Sequence, residues 1–168
     1  LLFLLSILLG CFILYILGYL WFADARNRQV KALFALGVIV SFWLFMNAVC
    51  MVVGPDYFAF AYTGTMLCVC FFPTATLWFC LHFTGSGLVQ NRALLYLLLG
   101  LAVFDALALV TNPLHHLFYT SYGYPLGTFG PLFWVHSILA YIGLLWAFAI
   151  LFLHALKHGR GNPLLPLM

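Results

Sequence analysis

Ala93-Leu94-Leu95-Tyr96-Leu97-Leu98-Leu99-Gly100-Leu101-Ala102-Val103-Phe104-Asp105-Ala106-Leu107-Ala108-Leu109-Val110 is an unbroken apolar run that carries one carboxyl group. An α-helix needs about 20 such residues to cross the hydrocarbon core of a bilayer. The run therefore reads as a membrane-spanning helix. Asp105 lies near its end, at a depth where an ionisable group is costly and usually faces a cavity, a partner or a ligand.

The rest of the chain supports a membrane fold. It is 67% hydrophobic and 5% charged, with six basic and three acidic side chains. A soluble domain carries roughly 25% charged residues, so this chain could not cover a water-exposed surface. No basic cluster is large enough for nucleic acid. The five cysteines, Cys11, Cys50, Cys68, Cys70 and Cys80, all fall in apolar runs and match no zinc spacing. They read as inert and buried.

Spans are expected at 1–21, 31–53, 58–83, 92–110 and 131–156, which makes an all-α, polytopic transmembrane bundle in one domain. Pro73 is expected to kink the third span. Arg26, Arg28, Lys31, Arg92, Lys157 and Arg160 then all fall on one side, whereas the Gly54–Tyr57 and 111–130 connections have no lysine or arginine. The positive-inside rule puts the basic side in the cytoplasm, with the N-terminus outside and the C-terminus inside. The location implied is a plasma or inner membrane, crossed several times. The chain opens Leu1-Leu2 with no signal-peptide pattern, so residues ahead of Leu1 are expected. The apolar tail 161–168 reads as the start of a further helix. No long internal repeat favours an inverted-repeat transporter.

The alternating topology places Asn47, Tyr62, Thr63, Thr65, Asp105 and His136 in the outer half of the bundle, with Tyr141 about one turn deeper. His136 is the partner nearest to Asp105 in depth. A structural Asp105–His136 pair and a ligand-contacting Asp105 are compatible readings. The 111–130 segment is long for a connection between bundle helices. It has no Asp, Glu, Lys or Arg but contains Phe118, Tyr119, Tyr122, Tyr124 and Phe129. It is expected to lie at the membrane surface or fold over the outer mouth as a lid.

No cofactor is expected. Adjacent His115 and His116 lack acidic or cysteine ligands nearby, and His82 and His154, near the inner ends of their spans, make only a conceivable axial pair for haem. Catalytic patterns are missing, and Thr84-Gly85-Ser86-Gly87 lacks the strand–helix setting of a phosphate loop. Asp24, Asp56 and Asp105 fall at three levels, so paired-carboxylate chemistry is not expected.

Thr111-Asn112-Pro113-Leu114-His115-His116-Leu117-Phe118, then Gly130-Pro131-Leu132-Phe133-Trp134-Val135-His136 and Tyr141, resemble the fourth-to-fifth helix region of the N-terminal seven-helix sensory domain of bacterial and archaeal membrane histidine kinases. Trp78–Gly85, with Phe79, His82 and Thr84, resembles the end of that family's third helix. The resemblance implies a sensor portion containing about the first five of seven helices, with the N-terminus outside. It also implies cytoplasmic output modules elsewhere, no enzymatic activity in this portion, and a homodimer formed through those modules. Such a portion receives a signal in the outer half of the bundle and passes it to the cytoplasm; the aromatic mouth suits a small apolar or amphiphilic molecule. The residues expected to contact the signal or hold its pocket are Asn47, Tyr62, Thr65, Asp105, His136, Tyr141 and Trp134, with His115, His116 and Tyr119 from the lid. The alternatives are a small transporter, a channel, a haem-bearing electron carrier and a structural membrane subunit.

Overall fold

The computed structural model describes residues 1–121 and 127–159, and side chains as far as Lys157. Five long helices make the bundle: α1 (Leu2–Asp24), α2 (Arg28–Cys50), α3 (Pro55–Phe83), α4 (Arg92–Val110) and α6 (Pro131–Gly159). Each has the length and hydropathy of a membrane span. Between α4 and α6 lie a short helix, α5 (Asn112–His115), and a two-stranded antiparallel hairpin, β1 (Tyr119–Ser121) and β2 (Thr128–Phe129). The connection expected as a plain loop thus has regular structure, and the fold has a small β element on an α-helical frame. The expectations for Tyr122, Tyr124, Arg160 and the tail 161–168 lie outside the described residues.

Local chemistry sets the helix ends. Asn27 caps α2, its Oδ1 accepting from the backbone N–H of Gln29 at 2.8 Å. That cap starts α2 at Arg28 and not at Lys31. Pro55 suits the first turn of α3, where its missing N–H costs nothing. The α3 helix then runs unbroken through Pro73. At its other end Gly85 takes φ +63°, a left-handed conformation that lets the N–H of Ser86 close back onto Leu81 O at 3.0 Å. Asn91 Oδ1 caps α4 by accepting from Leu94 N–H at 3.1 Å.

The hub is α3: α2, α4 and α6 all pack on it, and α1 packs chiefly on α2. Little backbone contact joins α4 to α6. Small residues permit the close approaches: Ala32, Gly37, Ser41 and Ala48 on α2, Ala61 and Thr65 on α3, and Ala147 on α6 are buried. Large apolar side chains such as Leu8, Phe12, Phe60, Leu107, Leu145 and Phe148 are exposed around the outside. That inside-out arrangement suits hydrocarbon and not water. The basic residues Arg26, Arg28, Lys31, Arg92 and Lys157 gather at one end of the bundle, and α5 with the hairpin covers the other.

Ser41 is buried within this packing, and its hydroxyl has no hydrogen-bond partner among the described residues. Removing an unpaired buried hydroxyl relieves a desolvation cost of about 1 kcal/mol. Ser41→Ala is therefore expected to raise the melting temperature of the detergent-solubilised protein. A lowered melting temperature would reveal a partner for the hydroxyl.

Candidate functional site

Asp105 lies on the face of α4 that carries Leu98, Ala102, Ala108 and Leu109, one helical stripe directed at the bundle. His136 lies one turn and a half into α6, with Ala140 and Gly143 along the same stripe. The two side chains meet across the gap between α4 and α6: Nδ1 of His136 is 2.7 Å from Oδ2 of Asp105. They are 5% and 14% exposed, respectively. Where the two backbones scarcely touch, this bond is a polar tie between the helices. Below it is a cleft of about 50 Å³ between α3, α4 and α6, lined by Cys70, Thr74 and Leu77 of α3 among others. Gly143 faces the Pro73 ring there, with room for a Cβ at 3.5 Å from Pro73 Cβ.

A short-range hydrogen-bond system builds the cover over the pair. Thr111 ends α4, its hydroxyl donating to Leu107 O at 2.7 Å. The next residue, Asn112, is fully buried. Its Oδ1 accepts from the backbone N–H groups of Phe118 (2.8 Å) and Tyr119 (3.0 Å), and its Nδ2 donates to Tyr119 O at 3.0 Å. One amide thus satisfies three main-chain groups of the returning chain. The reversal is completed by His116, which adopts the left-handed conformation at φ 54°. His115 Nδ1 accepts from Leu117 N–H at 2.9 Å, which leaves Nε2–H to donate to Thr111 Oγ1 at 3.2 Å. Gly130 passes so close to the Leu117 carbonyl that a Cβ would overlap it, and its N–H bonds Phe118 O at 2.8 Å. The residue must be glycine for the hairpin to seat on α6.

This frame drives Phe118 and Tyr119 inward. Both are fully buried. The Phe118 ring lies 5.8 Å from the His136 ring and edge-on to Phe133 at 5.9 Å. Tyr119 packs on Tyr62 at 5.6 Å, and Tyr62 stacks on Phe58 at 5.5 Å. Phe129 of β2 stacks on Phe133 at 3.9 Å. The segment is a plug of aromatic side chains wedged between α3 and α6.

The structure thus brings Asp105, His136, Tyr62 and Tyr119 into one region and gives His115 and His116 to the turn that supports it. The others lie at its rim or apart from it. Thr65 is buried one layer away, bonding Ala61 O at 3.2 Å and lying 3.7 Å from Cys50 Sγ. Asn47 donates to Trp43 O on its own helix at 2.8 Å. Trp134 is 58% exposed but sits edge-on to Phe129 and Phe133, at 6.2 and 5.8 Å, on the rim of the plug, and Tyr141 is 68% exposed. His82 and His154 pack against the rings of Trp78 and Phe83, respectively. Among the described residues no three His, Cys, Asp or Glu side chains are grouped to hold a metal ion. Sequence reasoning missed Asn112 and Phe118 as site residues. The signal for Asn112 was present, because an asparagine before proline at a helix end commonly bonds the backbone ahead of it.

The chain matches a family model described as the N-terminal 7TM region of histidine kinase over residues 3–162. The match is to the membrane region and not to a catalytic domain of the kinase. No curated protein and no solved structure matches the chain. With five membrane-spanning helices in the described structure and a match over nearly its whole length, the chain belongs to the family of N-terminal membrane sensory regions of histidine kinases.

Proposed function

We propose that this chain receives a signal at the end of the bundle covered by the 111–130 segment, and that this end faces the outside. The clustering of basic residues at the opposite end supports that orientation, with the N-terminus outside and the C-terminus in the cytoplasm of an inner or plasma membrane. On this reading the chain supplies about five helices of a seven-helix sensor, and the 111–130 segment is its extracellular lid. The signal is a small apolar or amphiphilic molecule that enters between α4 and α6. Asp105 and His136 form the polar end of its site in the cleft between α3, α4 and α6, and Phe118, Tyr119 and Tyr62 pack above them as its roof. The output modules dimerise in the cytoplasm.

The observation that carries the reading is the Asp105–His136 bond, which joins two helices having little other contact and lies under the lid. A molecule that bonds to either partner or wedges into the cleft beside them changes how α4 sits against α6. It thereby shifts the population between two packings on α3. That change reaches the basic end because both helices run the full depth of the bundle.

Spin labels on unnatural amino acids at Tyr96 and Leu153, both exposed and near the basic end, would test the relay. In nanodiscs, Asp105→Leu is expected to shift or broaden the distance distribution between them. An unchanged distribution would mean that the pair does not govern the far end.

A further inference from the structure

The Asp105–His136 site holds an acceptor that the fold does not use. His136 Nδ1 is committed to Asp105, and Nε2 makes no hydrogen bond to a described residue, although the side chain is 95% buried. A carboxylate holding the proton on Nδ1 leaves Nε2 as a lone-pair acceptor. The ring lines the cleft between α4 and α6. The neighbouring walls are apolar, from Leu98, Leu101, Leu139 and Ala140, and Leu101 and Leu139 are partly exposed on the lipid-facing side.

These features select a ligand. The cleft of about 50 Å³ admits a head group of water-like size but not a ring. The head must donate a hydrogen bond, because the available atom is an acceptor. An anionic head is disfavoured beside the Asp105 carboxylate. The rest of the molecule must be apolar to lie along the leucines. We propose that the site takes a long-chain alcohol from the bilayer, its hydroxyl donating to His136 Nε2 and its tail lying along Leu98, Leu101 and Leu139. This inference rests on the reading of the Asp105–His136 cleft as the signal site, and adds the chemistry of the signal.

The test is photo-cross-linking of the chain in nanodiscs with dodecanol, dodecane and dodecanoate, each carrying the same diazirine on its tail. Labelled peptides are mapped by mass spectrometry. The alcohol is expected to label the peptides around Leu98–Ala102 and Leu139–Gly143 about fivefold more than the alkane, the margin of one net hydrogen bond. It should also exceed the carboxylate. His136→Phe should reduce the alcohol to the alkane level. Leu101→Trp fills the cleft while keeping both members of the pair, and should abolish the preference even if His136→Phe fails to fold. Equal labelling by alcohol and alkane, or a preference that survives Leu101→Trp, would overturn the assignment of an alcohol. The spin-label distances need no ligand, so the relay can fail or stand independently of this result.

Discussion

Asn112→Ala is expected to unfold the cover of the site and lower the stability of the whole protein by ~3 kcal/mol, since each buried main-chain group left unpaired costs about 1–3 kcal/mol. The substitution removes the bonds to Phe118 N–H, Tyr119 N–H and Tyr119 O together. No water replaces them readily, because Asn112, Phe118 and Tyr119 are all fully buried. The turn would relax by withdrawing Phe118 and Tyr119 from the bundle, giving up the ring contacts to His136 and Tyr62. Two measurements check this: a lower midpoint in unfolding by increasing SDS in mixed micelles, and faster hydrogen exchange at 117–121. Asn112→Asp keeps the acceptor to both N–H groups and loses the donor to Tyr119 O, so it should be milder. Equal damage from the two variants would indicate that Nδ2, and not Oδ1, does the positioning.

The second large effect belongs to the pair itself. Asp105→Leu leaves His136 buried against apolar side chains with its Nδ1 unpaired, and should cost ~3 kcal/mol, in the range for breaking a buried pair. His136→Leu leaves the carboxyl group without its donor at membrane depth and should cost a similar amount. The double variant Asp105→Leu/His136→Leu should recover most of the loss, because two leucines facing one another leave nothing polar unsatisfied. A double-mutant cycle in SDS titrations measures the coupling directly. Additive losses would show that the 2.7 Å contact contributes nothing as a pair.

The frame of the molecule was legible because membrane spans are written in long composition blocks. The α4 run and the distribution of arginine and lysine located the helices within a few residues. Depth was legible too: counting along α4 and α6 put Asp105 and His136 at one level, and they are in contact. Rotation about each helix axis was not legible. Tyr141 has nearly the right depth, yet it lies five residues past His136 and so projects from another side of α6. When most residues are apolar, hydrophobic periodicity no longer marks the inner face, and neither face of α6 looks privileged. The internal order of the segment after α4 was hidden for another reason. Its order comes from one asparagine bonding residues six and seven positions ahead, which no composition average reveals.

The position of α3 as hub, with Asp105 and His136 on the two helices it holds apart, has a consequence for synthesis. The chain is made from its N-terminus, so α1, α2 and α3 can associate as successive neighbours while α4 is still emerging. Asp105 then enters the bilayer before His136 has been translated. A carboxylate at the centre of an isolated helix costs about 2.5–3.5 kcal/mol to insert; Asp105, close to the end of α4, costs less, and the leucines of the span meet that cost. The apolar run from Ala93 to Phe104 is what lets the helix wait in the membrane for its partner. Arrival of α6 is then the step that locks the bundle, and a ribosome stalled between Val110 and His136 would leave the carboxyl group unclaimed within the lipid.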